Sequence, residues 1–136
     1  MDTDFRRWIG LGALFTGFGV VWGAFGAHLL QGQLSEYSER IFEKAVFYQD
    51  FQSLGLFLIA IAAEGRLIPA ASARRALRLL LAGILLFSGS LYLLALTGER
   101  RWGMITPLGG LSFLGGWFSL AVVMLRDRSS ENRNGA

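Results

Sequence analysis

The apolar stretches of this chain hold few groups able to do chemistry. His28 is the one histidine. It closes a run from Trp8 to Leu30, WIGLGALFTGFGVVWGAFGAHLL, that carries no other ionisable group. Imidazole titrates near neutrality, which suits a proton carrier or a general base. A metal role lacks companions: there is no cysteine and no second histidine, so Asp50 alone could join His28. No metal centre is expected. The third reading is structural, a histidine near the membrane interface bonded to a neighbouring span. Asp50 sits in the polar run Tyr48-Gln49-Asp50, followed by Gln52 and Ser53. Its carboxylate either reaches water beside Glu43 and Lys44, or lies buried with a donor such as His28 or Gln52. Gln49 and Gln52 suit interhelical hydrogen bonds, each worth on the order of 1 kcal/mol in lipid.

Two further polar groups complete the inventory. Ser88, Ser90 and Tyr92 stand in Phe87-Ser88-Gly89-Ser90-Leu91-Tyr92. The spacing looks like a nucleophile motif, but no strand-turn-helix context or triad base accompanies it. Thr106 followed by Pro107 is a helix start, with Thr as cap and Pro in the first turn. Such an end could hold an anion; capping is the simpler role. With one histidine and no complete constellation, no catalytic residue and no cofactor is assigned, and an intramembrane enzyme ranks last.

These groups must be positioned by apolar elements. Hydrophobic residues make up 53% of the 136 and charged ones 17%, with 18 glycines against two prolines. That balance is too apolar for an ordinary soluble domain and suits membrane helices. Four spans are expected, at about 8–30, 45–63, 77–97 and 107–125, forming one all-α transmembrane bundle. Residues 1–7 and 126–136 are polar tails, the second expected to be disordered. Residues 31–44 carry Leu34, Tyr37 and Ile41 at helical spacing, which predicts a short amphipathic helix on the membrane surface that runs on into the second span.

The first span sorts its side chains by size. Leu11, Leu14, Phe15, Phe18, Trp22, Phe25 and Leu29 form a bulky arc, expected to face lipid. Gly12, Thr16, Gly19, Gly23, Gly26 and Ala27 form one small arc, and Gly10, Ala13, Gly17, Ala24 and His28 another. In lipid, small residues allow helices to approach closely, so both small arcs are expected to dock other helices. Gly83, Gly109 and Gly116 should serve the same end in the third and fourth spans.

Orientation follows from basic residues. The tails and the 64–78 loop hold nine: Arg6, Arg7, Arg66, Arg74, Arg75, Arg78, Arg126, Arg128 and Arg133. The opposite side holds four: Arg40, Lys44, Arg100 and Arg101. The excess puts both termini in the cytoplasm. His28, Tyr48, Gln49, Asp50, Gln52, Ser88, Ser90, Tyr92 and Thr106 would then share the outer half of the bilayer, as a candidate polar cluster. The basic residues form no stripe with interleaved aromatics, so nucleic acid is not an expected partner.

Four motifs together point to a family: Gly23-Ala24-Phe25-Gly26-Ala27-His28, Tyr48-Gln49, Phe87 to Tyr92, and Thr106-Pro107-Leu108-Gly109-Gly110 through Gly116-Trp117. In this order the chain resembles the small four-span inner-membrane proteins of the domain-of-unknown-function 423 family, the YgdD/YwdK-like group. The resemblance covers about Phe15 to Leu125 and implies a bacterial inner-membrane protein with no established activity. At position 52 the family usually has histidine where this chain has Gln52, so a mechanism needing two histidines does not transfer. Two functional classes follow. One is a non-enzymatic accessory subunit or self-associating scaffold packed through glycine faces, with membrane lipids and a membrane-protein complex or homo-oligomer as partners. The other is a binder or carrier of a lipid, quinone or small molecule with its polar site in the outer leaflet.

Overall fold

A computed structural model describes the backbone of residues 3–134 and the side chains of residues 3–126. Four helices are long and apolar enough to cross a membrane. They are α1 (Thr3–His28), α2 (Glu36–Glu64), α3 (Ala70–Thr97) and α4 (Thr106–Asn134). No strand occurs among the described residues. Local chemistry sets the ends. Ser35 caps α2 by accepting the Ser38 amide at 3.1 Å. Pro69 precedes α3. Gly98 closes α3 at φ 69°, a left-handed conformation that glycine adopts without strain, and its amide bonds Leu94 O at 2.9 Å.

The helices run antiparallel in sequence order. α2 and α3 form the middle, α1 lies along α2, and α4 lies along α3. The shared core is built from Leu56, Ile59, Leu77, Leu80, Ile84 and Phe113. Large apolar side chains also point outward all round, among them Phe18 and Val21 on α1, Phe51 and Leu58 on α2, and Leu111 and Phe118 on α4. Water would not tolerate that surface; a bilayer does.

Because lipid tails are as apolar as leucine, helix association depends on close fit. Gly12 lies against the Phe57 backbone so tightly that a Cβ there would sit 2.8 Å from Phe57 N. Gly109 lies against the Phe87 backbone, where a Cβ would collide outright. Gly26 accommodates the Phe42 ring, Gly83 the Phe113 ring, and Gly116 the turn around Ala76 to Leu80. Gly23 has room to spare, with a Cβ only reaching Val46 at 3.5 Å.

The third span is not a uniform helix. Ile84–Ser88 form a π turn, one wide turn that changes which side chains meet the neighbours above and below it. Ser88 is sealed in this turn, 1% exposed, and its hydroxyl has no hydrogen-bond partner.

Several expectations are corrected. Residues 36–44 are helical and run on into the second span as the opening turns of one unbroken α2, and residues 29–34 are turns and bends. Only one small arc of α1 docks. Gly10, Ala13, Gly17, Ala24 and His28 face outward, because α1 has one main neighbour and needs one docking face. The bulky arc is not wholly lipid-facing: Phe15 packs on the core, and Trp22 and Phe25 pack against each other's rings at 5.8 Å. α1, α2 and α3 begin several residues before the expected spans, and α1 ends at His28 rather than at residue 30. The backbone from Arg126 to Asn134 continues α4 rather than forming an irregular tail. The side chains of Arg128 and Arg133 lie outside the described residues, as do Met1, Asp2, Gly135 and Ala136.

Candidate functional site

The polar groups of the bundle fall into separate links between helices. Gln49 on α2 makes the first. Its Nε2 donates to Phe15 O of α1 at 2.8 Å, and its Oε1 accepts from the Tyr92 hydroxyl of α3 at 2.9 Å. One amide thus ties three helices together. Aromatic rings surround it: Tyr92 lies 5.7 Å from Trp22 and 5.1 Å from Phe42. The second link joins Gln52 Oε1 to the indole N–H of Trp117 on α4 at 2.9 Å. A neutral imidazole at position 52 could accept the same bond. The third joins the Ser90 and Thr106 hydroxyls at 2.7 Å, with Ser90 also donating to Phe87 O. A further bond runs from Ser112 to Leu79 O at 2.7 Å.

The other candidates stand apart. Tyr48 packs against the tilted Phe87 ring and stacks with Phe113, at 4.6 and 6.4 Å between ring centroids. Ser88 is enclosed, as described. His28 is exposed at the end of α1, and its side chain makes no hydrogen bond or ion pair among the described residues. The nine side chains therefore do not converge on one centre. Helix geometry alone already turns Gln49 and Asp50 about 100° apart, so one of them faces Tyr92 and the other Gly19.

Asp50 turns toward α1. Its carboxylate occupies the space that a side chain at Gly19 would fill, and Oδ1 is buried there without a hydrogen-bond partner. This aspartate forms the inner end of a groove of about 630 Å³ between the last turns of α1 and the first turns of α2. That volume is in the range of small-molecule sites. Glu39, Glu43 and Asp50 lie along its α2 wall, while Gly23 and Gly26 form the α1 wall. Phe42, Val46 and Leu30 add apolar surface. Glu39 also fixes the groove's rim, accepting the Gly32 amide at 2.9 Å; Gly32 has φ 75°.

The glutamates were missed as site residues because they were read as part of a surface helix. Their spacing was the available signal. Residues 39, 43 and 50 fall within about 40° of one another around a helix. No group of three His, Cys, Asp or Glu able to hold a metal is found among the described residues. The residues lining the groove include no Ser, Thr, Lys or His.

Comparison with known proteins decides the family. The model of a protein family of unknown function, DUF423, matches residues 22–110. The chain belongs to the DUF423 family. Relatives in this family are called UPF0382 membrane proteins. One from Staphylococcus haemolyticus is 47% identical over 117 residues, covering 86% of this chain and 93% of its own. YwdK of Bacillus subtilis is 40% identical over 116 residues, 85% and 94% of the two chains. The inner membrane protein YgdD of Escherichia coli is 38% identical over 110 residues, 79% and 80%. No solved structure matches the chain. This DUF423 protein is thus an integral membrane protein with four spanning helices. The segment matched by the DUF423 model contains the residues lining the groove and both ends of the Gln49–Tyr92 and Ser90–Thr106 bonds, while Phe15, Gly19 and Trp117 lie outside it.

Proposed function

We propose that this DUF423 protein is a non-enzymatic binder of a small amphiphilic molecule, held in the groove between α1 and α2. One observation carries this reading: the groove is ligand-sized, reaches from the loop at Gln31 to Asp50, and is mostly apolar with polar groups at defined points. The protein would sit in a bacterial inner membrane with both termini cytoplasmic, as the arginine distribution suggests, so the groove would open toward the outer leaflet. The glycines that first suggested a self-associating scaffold weigh less, because Gly12, Gly19, Gly26, Gly83, Gly109 and Gly116 are occupied by contacts within the chain.

The test is photo-cross-linking in native membranes with a diazirine-bearing fatty alcohol. Labelled peptides from residues 42–50 are expected, and Gly23→Leu, which fills the groove from an uncrowded position, should abolish the labelling. Uniform labelling of the outer helix faces, unchanged in Gly23→Leu, would overturn the reading. The accessory-subunit or scaffold reading rests on the outward small face of α1 at Gly10, Ala13, Gly17 and Ala24. Cysteine cross-linking from Gly17→Cys tests it, with a strictly monomeric protein as the outcome against it.

A further inference from the structure

The groove has a sign as well as a size. Three carboxylates line it, those of Glu39, Glu43 and Asp50, and no Lys, Arg or His is among its lining residues. The nearby cation Arg40 is engaged elsewhere, in an ion pair with Glu36 at 2.5 Å. Lys44 lines an adjoining depression, which shares Glu43 and Phe47 with the groove, and not the groove itself. None of the three groove carboxylates is in an ion pair among the described residues.

Asp50 carries the argument furthest. A carboxylate oxygen buried without a donor is costly unless something positive meets the group. The packing has been arranged around keeping this carboxylate in place: Gly19 supplies the space, and a Cβ there would exclude it. Asp50 is only partly buried, with Oδ1 the enclosed oxygen, and it lies about 16 Å along the helix axis from Glu39, at ~1.5 Å per residue. Between the two ends the walls are Phe42, Val46 and Phe47. Aromatic faces attract cations as carboxylates do. The site thus offers negative charge at both ends and apolar, aromatic surface between them.

Resting on the groove being a binding site, we propose that its ligand class is an organic cation: a protonated amine or quaternary onium with apolar substituents. Asp50 is the inner counter-ion, and Glu39 and Glu43 draw the cation in from the membrane surface. An inorganic cation would leave the apolar walls unused, and an anionic lipid would meet three like charges.

The experiment uses two probes of the same shape and opposite charge, tetraphenylphosphonium and tetraphenylborate. Equilibrium binding is measured to the full-length protein in nanodiscs of zwitterionic lipid, with empty nanodiscs subtracted. Saturable binding of the phosphonium is expected, at least tenfold tighter than the borate. Asp50→Asn, which keeps the shape, should weaken it tenfold or more. The double variant Glu39→Gln/Glu43→Gln should weaken it severalfold, and serves as the test if Asp50→Asn fails to fold. Equal binding of both probes, or phosphonium binding indifferent to all these substitutions, overturns the charge assignment. If the diazirine alcohol still labels the groove in that case, the binding function survives and only the cation preference falls. If neither probe binds and no labelling occurs, both fall.

Discussion

The hydroxyl of Tyr92 donates to the side-chain oxygen of Gln49 at 2.9 Å, across the packed faces of α3 and α2. Gln49 is 4% exposed, and its amide nitrogen serves the α1 backbone at the same time. Removing either partner therefore has unequal effects. Tyr92→Phe gives up one interhelical bond, at about 0.6 kcal/mol in lipid. Gln49→Leu gives up two and leaves the half-buried Tyr92 hydroxyl without this acceptor, at about 1–3 kcal/mol. Equilibrium unfolding in mixed detergent micelles measures both. Equal costs for the two variants would show that the bond to Phe15 contributes nothing.

Glycines on the two faces of the bundle should respond differently to one methyl group. Gly109→Ala drives a Cβ into the Phe87 backbone at the π turn, which cannot yield as a side chain tip would. The expected loss is about 1–3 kcal/mol. Gly17 has nothing within 4 Å of its Cβ direction. Gly17→Ala should be neutral or stabilising by up to ~1 kcal/mol through helix propensity. The same unfolding assay ranks them.

Gly19 and Asp50 should behave as a coupled pair. Gly19→Ala evicts the carboxylate or pushes α1 away from α2, costing about 1–3 kcal/mol. In an Asp50→Ala background the obstruction is gone. The double variant should therefore be more stable than the sum of the single effects, by at least ~0.5 kcal/mol. Additivity within error would show that the carboxylate does not occupy the space at Gly19.

The absence of cysteine makes topology directly testable. Gln33→Cys lies in the α1–α2 turn and Arg66→Cys in the α2–α3 turn, and both positions are exposed. In intact cells a membrane-impermeant maleimide should label Gln33→Cys and spare Arg66→Cys. The reverse pattern would invert the orientation and place the groove at the cytoplasmic surface.

How far the sequence reveals this molecule depends on the kind of information. Uninterrupted apolar stretches and arginine-rich connections show four crossing helices, since length and charge act locally. The docking arc of α1 is visible from glycine spacing, because close approach has a compositional signature. Which of two small arcs docks is not visible, since that depends on how many neighbours α1 has. The π turn at Ile84–Ser88 leaves no mark in the hydropathy pattern. It widens one turn, so a face drawn with a regular 3.6-residue period does not carry across from Gly83 to Gly89. The Gln52–Trp117 bond joins residues 65 apart in sequence, and no local pattern announces such a pair.

The position of α1 has a mechanical consequence. It is fastened along one side, to α2, with α3 touching it at Asp4 and Phe5 near one end and at Tyr92 toward the other. A rod held along a single edge can tilt without disturbing the slab it leans on. A guest in the proposed groove would therefore be accommodated by a tilt of α1, with Leu56, Leu77 and Leu80 keeping their places.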